Sequence, residues 1–366
     1  MVFRKQAAMA EANNSAYDLP CPINIRYAWR FGRILGIFYV HQVVRGLLLA
    51  CHYSPFTGTA FESLFYIQRD VAAGWAIRMV HANGARMLML FCYLHIARGL
   101  YFNSPIRVPH VWLSGVVLLF LIIAAAFLGY VLPWGQIRFW GATVITNLFR
   151  VIPWIGPKLV ETLWGGYTVG GPTLNRFFVF HFVVPLLIAP LILGHILLLH
   201  NRGSSNPLGA PVGGNAVPFH PYISSIDLIG AVFWLGVLGI VVLAAPHVMG
   251  CPDNFEKANP IKTPIHIQPE WYFLPFYAIL RRVPHKTGGV IIMALSLVVL
   301  FLLPGSTSSV NIGNSVIKEV MFIIFVFNAI ALGWIGACPL EVPFLILGAI
   351  HTVIYFLYFG LTGWVD

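Results

Sequence analysis

The chain is 366 residues long, 58% hydrophobic and only 9% charged, where a soluble domain carries about a quarter charged residues. A mean hydropathy of +0.81 excludes a water-soluble globular enzyme and points to lipid as the solvent around its core. The formal charge of +10, from 22 basic and 12 acidic residues, belongs in such a chain to loops facing anionic lipid or to arginines neutralising buried anions, not to a nucleic-acid surface.

In chain order, residues Met1 to Tyr27 include Arg4 and Lys5 but no apolar stretch with a small-residue cleavage site, so no removable signal is expected. Eight apolar runs follow, at roughly 31–51, 76–100, 111–131, 174–200, 224–245, 287–304, 317–337 and 343–363. Each suits a helix crossing a hydrocarbon core about 30 Å thick. The expected fold is an all-α integral membrane protein with eight transmembrane helices. It divides into an N-terminal extramembrane segment (1–30), a four-helix bundle with a long loop between spans three and four (31–210), and a C-terminal helical group (211–366).

The connection between spans three and four, 133–172, carries Pro133–Trp134–Gly135–Gln136 and Trp164–Gly165–Gly166–Tyr167. A loop of that length is usually functional or holds short helices of its own. A second long connection, 246–286, contains Asp253, Glu256 and Glu270 in an otherwise acid-poor chain. Positive charge does not orient the protein. Arg4, Lys5, Arg26 and Arg30 precede span one, yet Lys257, Lys262, Arg281, Arg282 and Lys286 crowd a loop on the opposite side. Cys21, Cys51, Cys92, Cys251 and Cys338 form no CxxC or CxxCH, so neither a zinc knuckle nor covalent haem attachment is expected.

Of thirteen histidines, four have a spacing that carries chemistry. Span two holds His81 and His95, span four His181 and His195, fourteen residues apart in each case. Fourteen steps at about 100° and 1.5 Å return to within roughly 40° of the same face, about 21 Å further along. Each helix therefore presents two imidazoles on one stripe, near opposite edges of the core. Spans two and four run in the same direction, because two crossings separate them, so His81 faces His181 and His95 faces His195. Such pairs suit six-coordinate haem iron, which leaves no open ligand position and serves electron transfer. A lone intramembrane histidine more often bonds a backbone carbonyl; four in one register on parallel helices favour haem.

Gly32 and Gly46 in span one, and Gly115 and Gly129 in span three, repeat the spacing. Small-residue helix packing is the ordinary use of such glycines. At the level of each iron they would let a porphyrin edge approach bare backbone. Arg78, three residues before His81, and Arg98, three after His95, can reach haem propionates near the membrane edges, although each alone could be a snorkelling anchor. His41 has no partner fourteen residues away and reads as non-ligating.

These residues, with Pro133–Trp134–Gly135–Gln136, the run Phe139–Trp140–Gly141–Ala142–Thr143–Val144–Ile145–Thr146–Asn147 and Pro269–Glu270–Trp271–Tyr272, resemble mitochondrial-type cytochrome b, the quinone-binding subunit of the respiratory bc complex. The likeness runs from about Trp29 to near the end. Thirteen residues between His181 and His195, and eight spans in one polypeptide, look like the bc-type protein rather than the split chloroplast type.

The resemblance implies quinol–cytochrome c reductase activity with two non-covalent haem b groups and ubiquinone/ubiquinol as substrate. His81 and His181 would hold the low-potential haem iron near the intermembrane side; His95 and His195 would hold the high-potential one near the matrix. It further implies both termini in the matrix, a mitochondrial inner-membrane location and proton translocation. Its partners would be a Rieske iron–sulfur subunit, a cytochrome c1 subunit and other complex subunits, in a homodimeric complex with anionic lipid such as cardiolipin. At the outer site quinol is oxidised, one electron going to the iron–sulfur partner and one through both haems to the inner site. Glu270, set among Trp271, Tyr272, Phe273, Phe276 and Tyr277, would be desolvated and suited to take a proton from quinol. Its bland alternative is a structural or helix-capping acid. Tyr272 could hydrogen-bond a quinone oxygen, and Phe127, Tyr130, Gly141 and Ile145 match wall positions.

At the inner site His200 and Asp227 would bracket the quinone, with Ser204 as a weaker third; an imidazole there suits proton donation near neutral pH. Two residues depart from the family pattern. Arg33 replaces a small polar residue facing the inner site, with Arg30 nearby, and Asn201 replaces a common acid. Arg45 and Arg86 are cations inside spans one and two, where contact with propionates, lipid headgroups or a neighbouring subunit is expected. Two other readings compete. A di-haem anchor of a quinone-linked dehydrogenase would have fewer spans and lack the Pro–Glu–Trp–Tyr segment. A proton-relaying transporter needs neither the parallel register nor the glycines.

Overall fold

A computed structural model describes residues 13–14, 17–208, 215–305 and 315–362. Arg4, Lys5 and the expected boundary at 210/211 lie outside the described residues. Long apolar stretches form helices because lipid leaves no partner for a backbone polar group except within the helix itself. Among the described residues, seven helices are long and apolar enough to cross a membrane: α1 (Phe31–Ala50), α4 (Pro109–Val131), α7 (Gly171–Arg202), α8 (Ser224–Ala244), α10 (Lys286–Leu302), α11 (Val316–Ala337) and α12 (Phe344–Leu361). The eighth long helix, α3 (Gly74–Tyr101), has 28 residues, but Arg78, His81, Asn83, Arg86 and His95 dilute its hydropathy.

Both long connections fold locally. The first holds α5 (Gln136–Asn147) and α6 (Gly156–Trp164); the second ends in α9 (Leu274–Arg282). The sequence reading did not single out α2 (Ala60–Arg69), an amphipathic helix between spans one and two. Nor did an all-α expectation allow for β1 (Pro20–Pro22) and β2 (Ala216–Pro218), which pair antiparallel with Cys21 opposite Val217. That pair ties the N-terminal segment to the connection entering α8.

α1 packs on α3 and α4 on α7. Ile34 and Phe38 of α1 join Met87 and Phe91 of α3 and Leu238 of α8 in one cluster. A second cluster joins Leu100 of α3 and Trp112 of α4 to Ile279, Leu332 and Tyr355, so the C-terminal helices lean on the outside of the first four. Leu193, Ile229 and Leu243 stay exposed, as lipid-facing residues do. Helices that gain nothing from excluding water associate through close packing. Gly289 is one such approach: a Cβ there would lie 2.5 Å from the Leu280 carbonyl oxygen.

Gln136 staples the two long connections. Its backbone N–H donates to Glu256 (3.1 Å), its Nε2 to the Lys262 carbonyl (2.8 Å), and its Oε1 accepts from Asn259 N–H (2.7 Å). Trp164 Nε1 donates to Thr146 Oγ1 (2.6 Å), and Thr173 Oγ1 to the Trp164 carbonyl (2.7 Å), which fixes α5 and α6 onto the start of α7. Three segments distant in sequence are thereby gathered at one end of the bundle.

Candidate functional site

Within that bundle, α3 and α7 present their histidines as the fourteen-residue register requires. The rings of His81 and His181 face each other with centroids 6.3 Å apart, and those of His95 and His195 are 6.4 Å apart. Two imidazoles sharing one metal at about 2.0 Å per nitrogen, each nitrogen about 1.1 Å from its ring centre, have centroids about 6.2 Å apart. Both pairs therefore fit a shared iron.

The second ring nitrogens bear on the same question. His181 Nδ1 is 2.9 Å from the Ala125 carbonyl, which only accepts, so Nδ1 carries the proton and Nε2 keeps its lone pair. His195 Nδ1 lies 2.8 Å from Ser114 Oγ, whose own proton goes to the Val111 carbonyl, so this Nδ1 is also a donor. Both rings are set to ligate through Nε2. His95 Nδ1 faces the Arg98 guanidinium at 3.3 Å. Arginine can only donate, so a ligating His95 requires Arg98 to turn to another acceptor. His81 Nδ1 is buried without a hydrogen-bond partner.

The four glycines divide between the two levels. A Cβ at Gly46 would lie 3.2 Å from the His81 ring, and one at Gly129 would collide with His181. At the other level, Cβ atoms on Gly32 and Gly115 would lie 2.9 Å from His95 and 3.2 Å from His195. The structure adds a neighbour to the sequence reading. At each glycine the imidazole itself is the nearest group to an added Cβ, because the helices approach closely opposite the ring. Four histidines, four glycines and the two arginines make a donor set and cradle that fit two haems.

A cavity of about 260 Å³ begins at His81 and His181 and continues past Arg78, Tyr130 and Arg138 to Glu270 and Tyr272. Glu270 is not simply among aromatics. Arg86 Nε donates to its Oε2 at 3.0 Å and Nη2 to its Oε1 at 2.9 Å, with both side chains below a tenth exposed. This corrects the expectation for Arg86: its partner is an acid of the same chain, 184 residues away, not a propionate, headgroup or neighbour. The reason is angular. Arg86 lies five residues after His81, about 140° around the helix from it.

Tyr272 is buried, and its carbonyl accepts from the Tyr93 hydroxyl. Burial, and then the Glu270 charge, push the Tyr272 hydroxyl well above its ordinary pKa, so it keeps its proton to donate. Tyr130 accepts a hydrogen bond from Asn254 Nδ2 (3.3 Å) and lies under the Arg138 guanidinium, 5.2 Å from the ring centre. Burial lowers the pKa of Arg138, whose Nε has no partner. Sequence reasoning missed Arg138, Asn83 and Tyr93; only the first left a signal, as a cation in an otherwise uncharged motif.

The other expected wall residues lie outside the cavity's lining: Phe127 meets Phe177 edge to face, with centroids 5.8 Å apart, and Gly141 on α5 has no neighbour where a Cβ would stand. Ile145, Phe273 and Tyr277 do not line the cavity; Tyr277 donates instead to the Ile267 carbonyl at 3.3 Å.

At the opposite end of the bundle Asp227, in the first turn of α8, is paired with Arg33 of α1, and Arg30 Nε lies 3.9 Å away. Both arginines thus engage the acid expected to bracket a quinone. His200 ends α7 with a buried, unpartnered Nδ1. Neither His200 nor Ser204 bonds Asp227 among the described residues, so the structure brings together only part of the expected inner triad.

Comparison with known proteins gives the following. A sequence profile described as Cytochrome b/b6/petB matches residues 16–203, and one described as Cytochrome b(C-terminal)/b6/petD matches 257–356. The chain is 48% identical over 351 residues to cytochrome b of Albinaria caerulea, covering 95% of this chain and 96% of that one. It superposes on a chain of a hyperthermophilic respiratory Complex III with a TM-score of 0.90 at 31% identity, covering 98% of this chain and 96% of the other.

Proposed function

The chain belongs to the cytochrome b family, and on that premise we propose that it is the transmembrane electron-transfer subunit of a ubiquinol–cytochrome c reductase of the mitochondrial inner membrane, with both termini in the matrix. The observation that carries this reading is the two facing imidazole pairs, 6.3 and 6.4 Å apart, one at each end of the same helices. His81 and His181 would hold the iron of the low-potential haem b, and His95 and His195 that of the high-potential one. Arg78 and Arg98 would meet the propionates, and Arg98 would then have an acceptor other than His95 Nδ1. When bound, the two haems would supply one-electron couples in series across the membrane.

At the outer site Glu270 takes a proton from a quinol hydroxyl within hydrogen-bond reach, and Tyr272 donates to the quinone oxygen. Tyr130 lines the space for the ring, and Phe127, Gly141, Ile145, Phe273 and Tyr277, which stand back from the cavity, would reach a bound quinone only if it extends beyond it. At the inner site His200 and Asp227 bracket the quinone with Ser204, and His200 passes protons in from the matrix. Electrons leaving the outer site go to a Rieske iron–sulfur subunit and to the haems. A cytochrome c1 subunit, further subunits, a second copy of the complex and cardiolipin complete the assembly. Functionally, residues 31–210 hold the haems, and 211–366 add the Pro–Glu–Trp–Tyr wall.

A reduced-minus-oxidised spectrum with a pyridine haemochrome assay on the purified complex tests this. Two b-type haems per chain are expected. One or none would overturn the reading, and a histidine-relay transporter would show no bis-histidine haem band at all.

A further inference from the structure

All three guanidinium nitrogens of Arg86 are committed. Nε and Nη2 bond the two oxygens of Glu270, at 3.0 and 2.9 Å, and Nη1 donates to Asn83 Oδ1 at 3.1 Å. Asn83 is itself fully buried and held by two carbonyls, that of Met79 (3.1 Å) on its own helix and that of Pro246 (3.0 Å) after α8. The acid therefore ends a chain of hydrogen bonds that starts on a haem-ligand helix and takes in two other segments. Arg86 and Glu270 both line the cavity that opens from His81 and His181, and Glu270 is the sole acid among the described residues lining it.

A planar guanidinium bound side-on leaves a carboxylate one orientation, whereas a single donor would let it rotate. Each carboxylate oxygen keeps a second lone pair after accepting one N–H, so the pair still offers an acceptor. From this geometry we infer that Arg86 is a positioning residue for quinol oxidation, holding Glu270 in the one orientation in which an oxygen is presented to the quinol hydroxyl. The inference rests on Glu270 being the proton acceptor. In the step, one quinol O–H bond breaks and one Glu270 O–H bond forms; the quinol's electrons go to the iron–sulfur partner and the haems. Once neutral, Glu270 no longer offers Arg86 a carboxylate, so accepting the proton also loosens the clamp that placed it.

The test is a comparison of four variants in the assembled complex, with the inner site blocked, both haems verified by spectrum, and initial haem reduction by quinol followed over a range of quinol concentrations. Arg86→Met should lower the maximal rate about tenfold with little change in KM, since misplacing a reacting group costs rate rather than binding. Arg86→Lys, which keeps the charge but not the two-point grip, should fall between the two. Glu270→Gln should be slow, and Glu270→Gln combined with Arg86→Met should be no slower than Glu270→Gln alone. Additive losses in the double variant, or a wild-type rate in both Arg86 variants, would overturn the role of Arg86. A wild-type rate in Glu270→Gln would instead sink the proton-acceptor reading beneath it. Should Arg86→Met fail to assemble, Arg86→Lys alone and combined with Glu270→Gln make the same comparison.

Discussion

Gly129 of α4 lies so close to His181 of α7 that a Cβ on the glycine would sit 2.8 Å from both ring nitrogens. Nothing at that spot can move aside cheaply, because the ring is held from behind by the Ala125 carbonyl at 2.9 Å. A Gly129→Val chain should therefore lose the haem of the His81/His181 level and keep the other. Haemochrome assay of the assembled variant should return roughly half the wild-type haem. A full complement would mean that the helices can part, and that close approach is not what the glycine serves.

Each histidine pair should own one haem. His195→Leu is expected to remove the component nearer the matrix and leave the low-potential one, and His181→Leu to do the reverse. Redox titration of the two variants distinguishes the components. Loss of the same component in both, in protein that still assembles, would contradict the assignment by depth.

Glu270→Gln keeps size and polarity but cannot accept a proton from quinol. Its amide can also no longer receive two charge-assisted bonds from Arg86, now seen at 3.0 and 2.9 Å. Quinol oxidation should slow about tenfold, less than the hundredfold common for a general base because water can substitute. Pre-steady-state haem reduction with both haems intact is the measurement. An unchanged rate leaves Glu270 a structural acid.

Arg33 and Asp227 form the second acid–arginine pair inside the bundle, with side chains 31% and 11% exposed. Arg33→Met leaves the mostly buried Asp227 carboxylate with only the longer contact to Arg30 (3.9 Å) and should destabilise the protein by about 1–2 kcal/mol, below the 3–5 kcal/mol of a fully buried pair because Arg30 remains and water reaches the site. Arg33→Met with Asp227→Asn removes both charges and should recover most of that loss. Thermal unfolding of the solubilised complex reads the difference. Equal destabilisation in the single and double variants would show that Arg33 contributes packing, not charge.

The span positions, the two-histidine stripe on each of two helices and the matching glycines were all legible in the sequence, since each follows from an element's own periodicity and length. A fourteen-residue repeat puts side chains on one helical face whatever the neighbours are. With the direction of the spans alternating, the same count also set which histidine meets which. Composition misled where it was averaged: α3 falls below the apolar helices because its histidines, asparagine and arginines are polar. Short elements whose partners are remote, such as β1 with β2, left no local signal.

Only the tertiary structure decided who answers the buried cations. Arg86 could have met a propionate, a lipid or another subunit, and it meets Glu270, 184 residues along the chain. Arg33 finds Asp227 in the same way, and Gln136 finds the 256–262 segment. A charge inside lipid must be paired, so the sequence determines that a partner exists. Which partner it is depends on the rotation and depth of helices packed against one another, and no periodicity within a single helix encodes that.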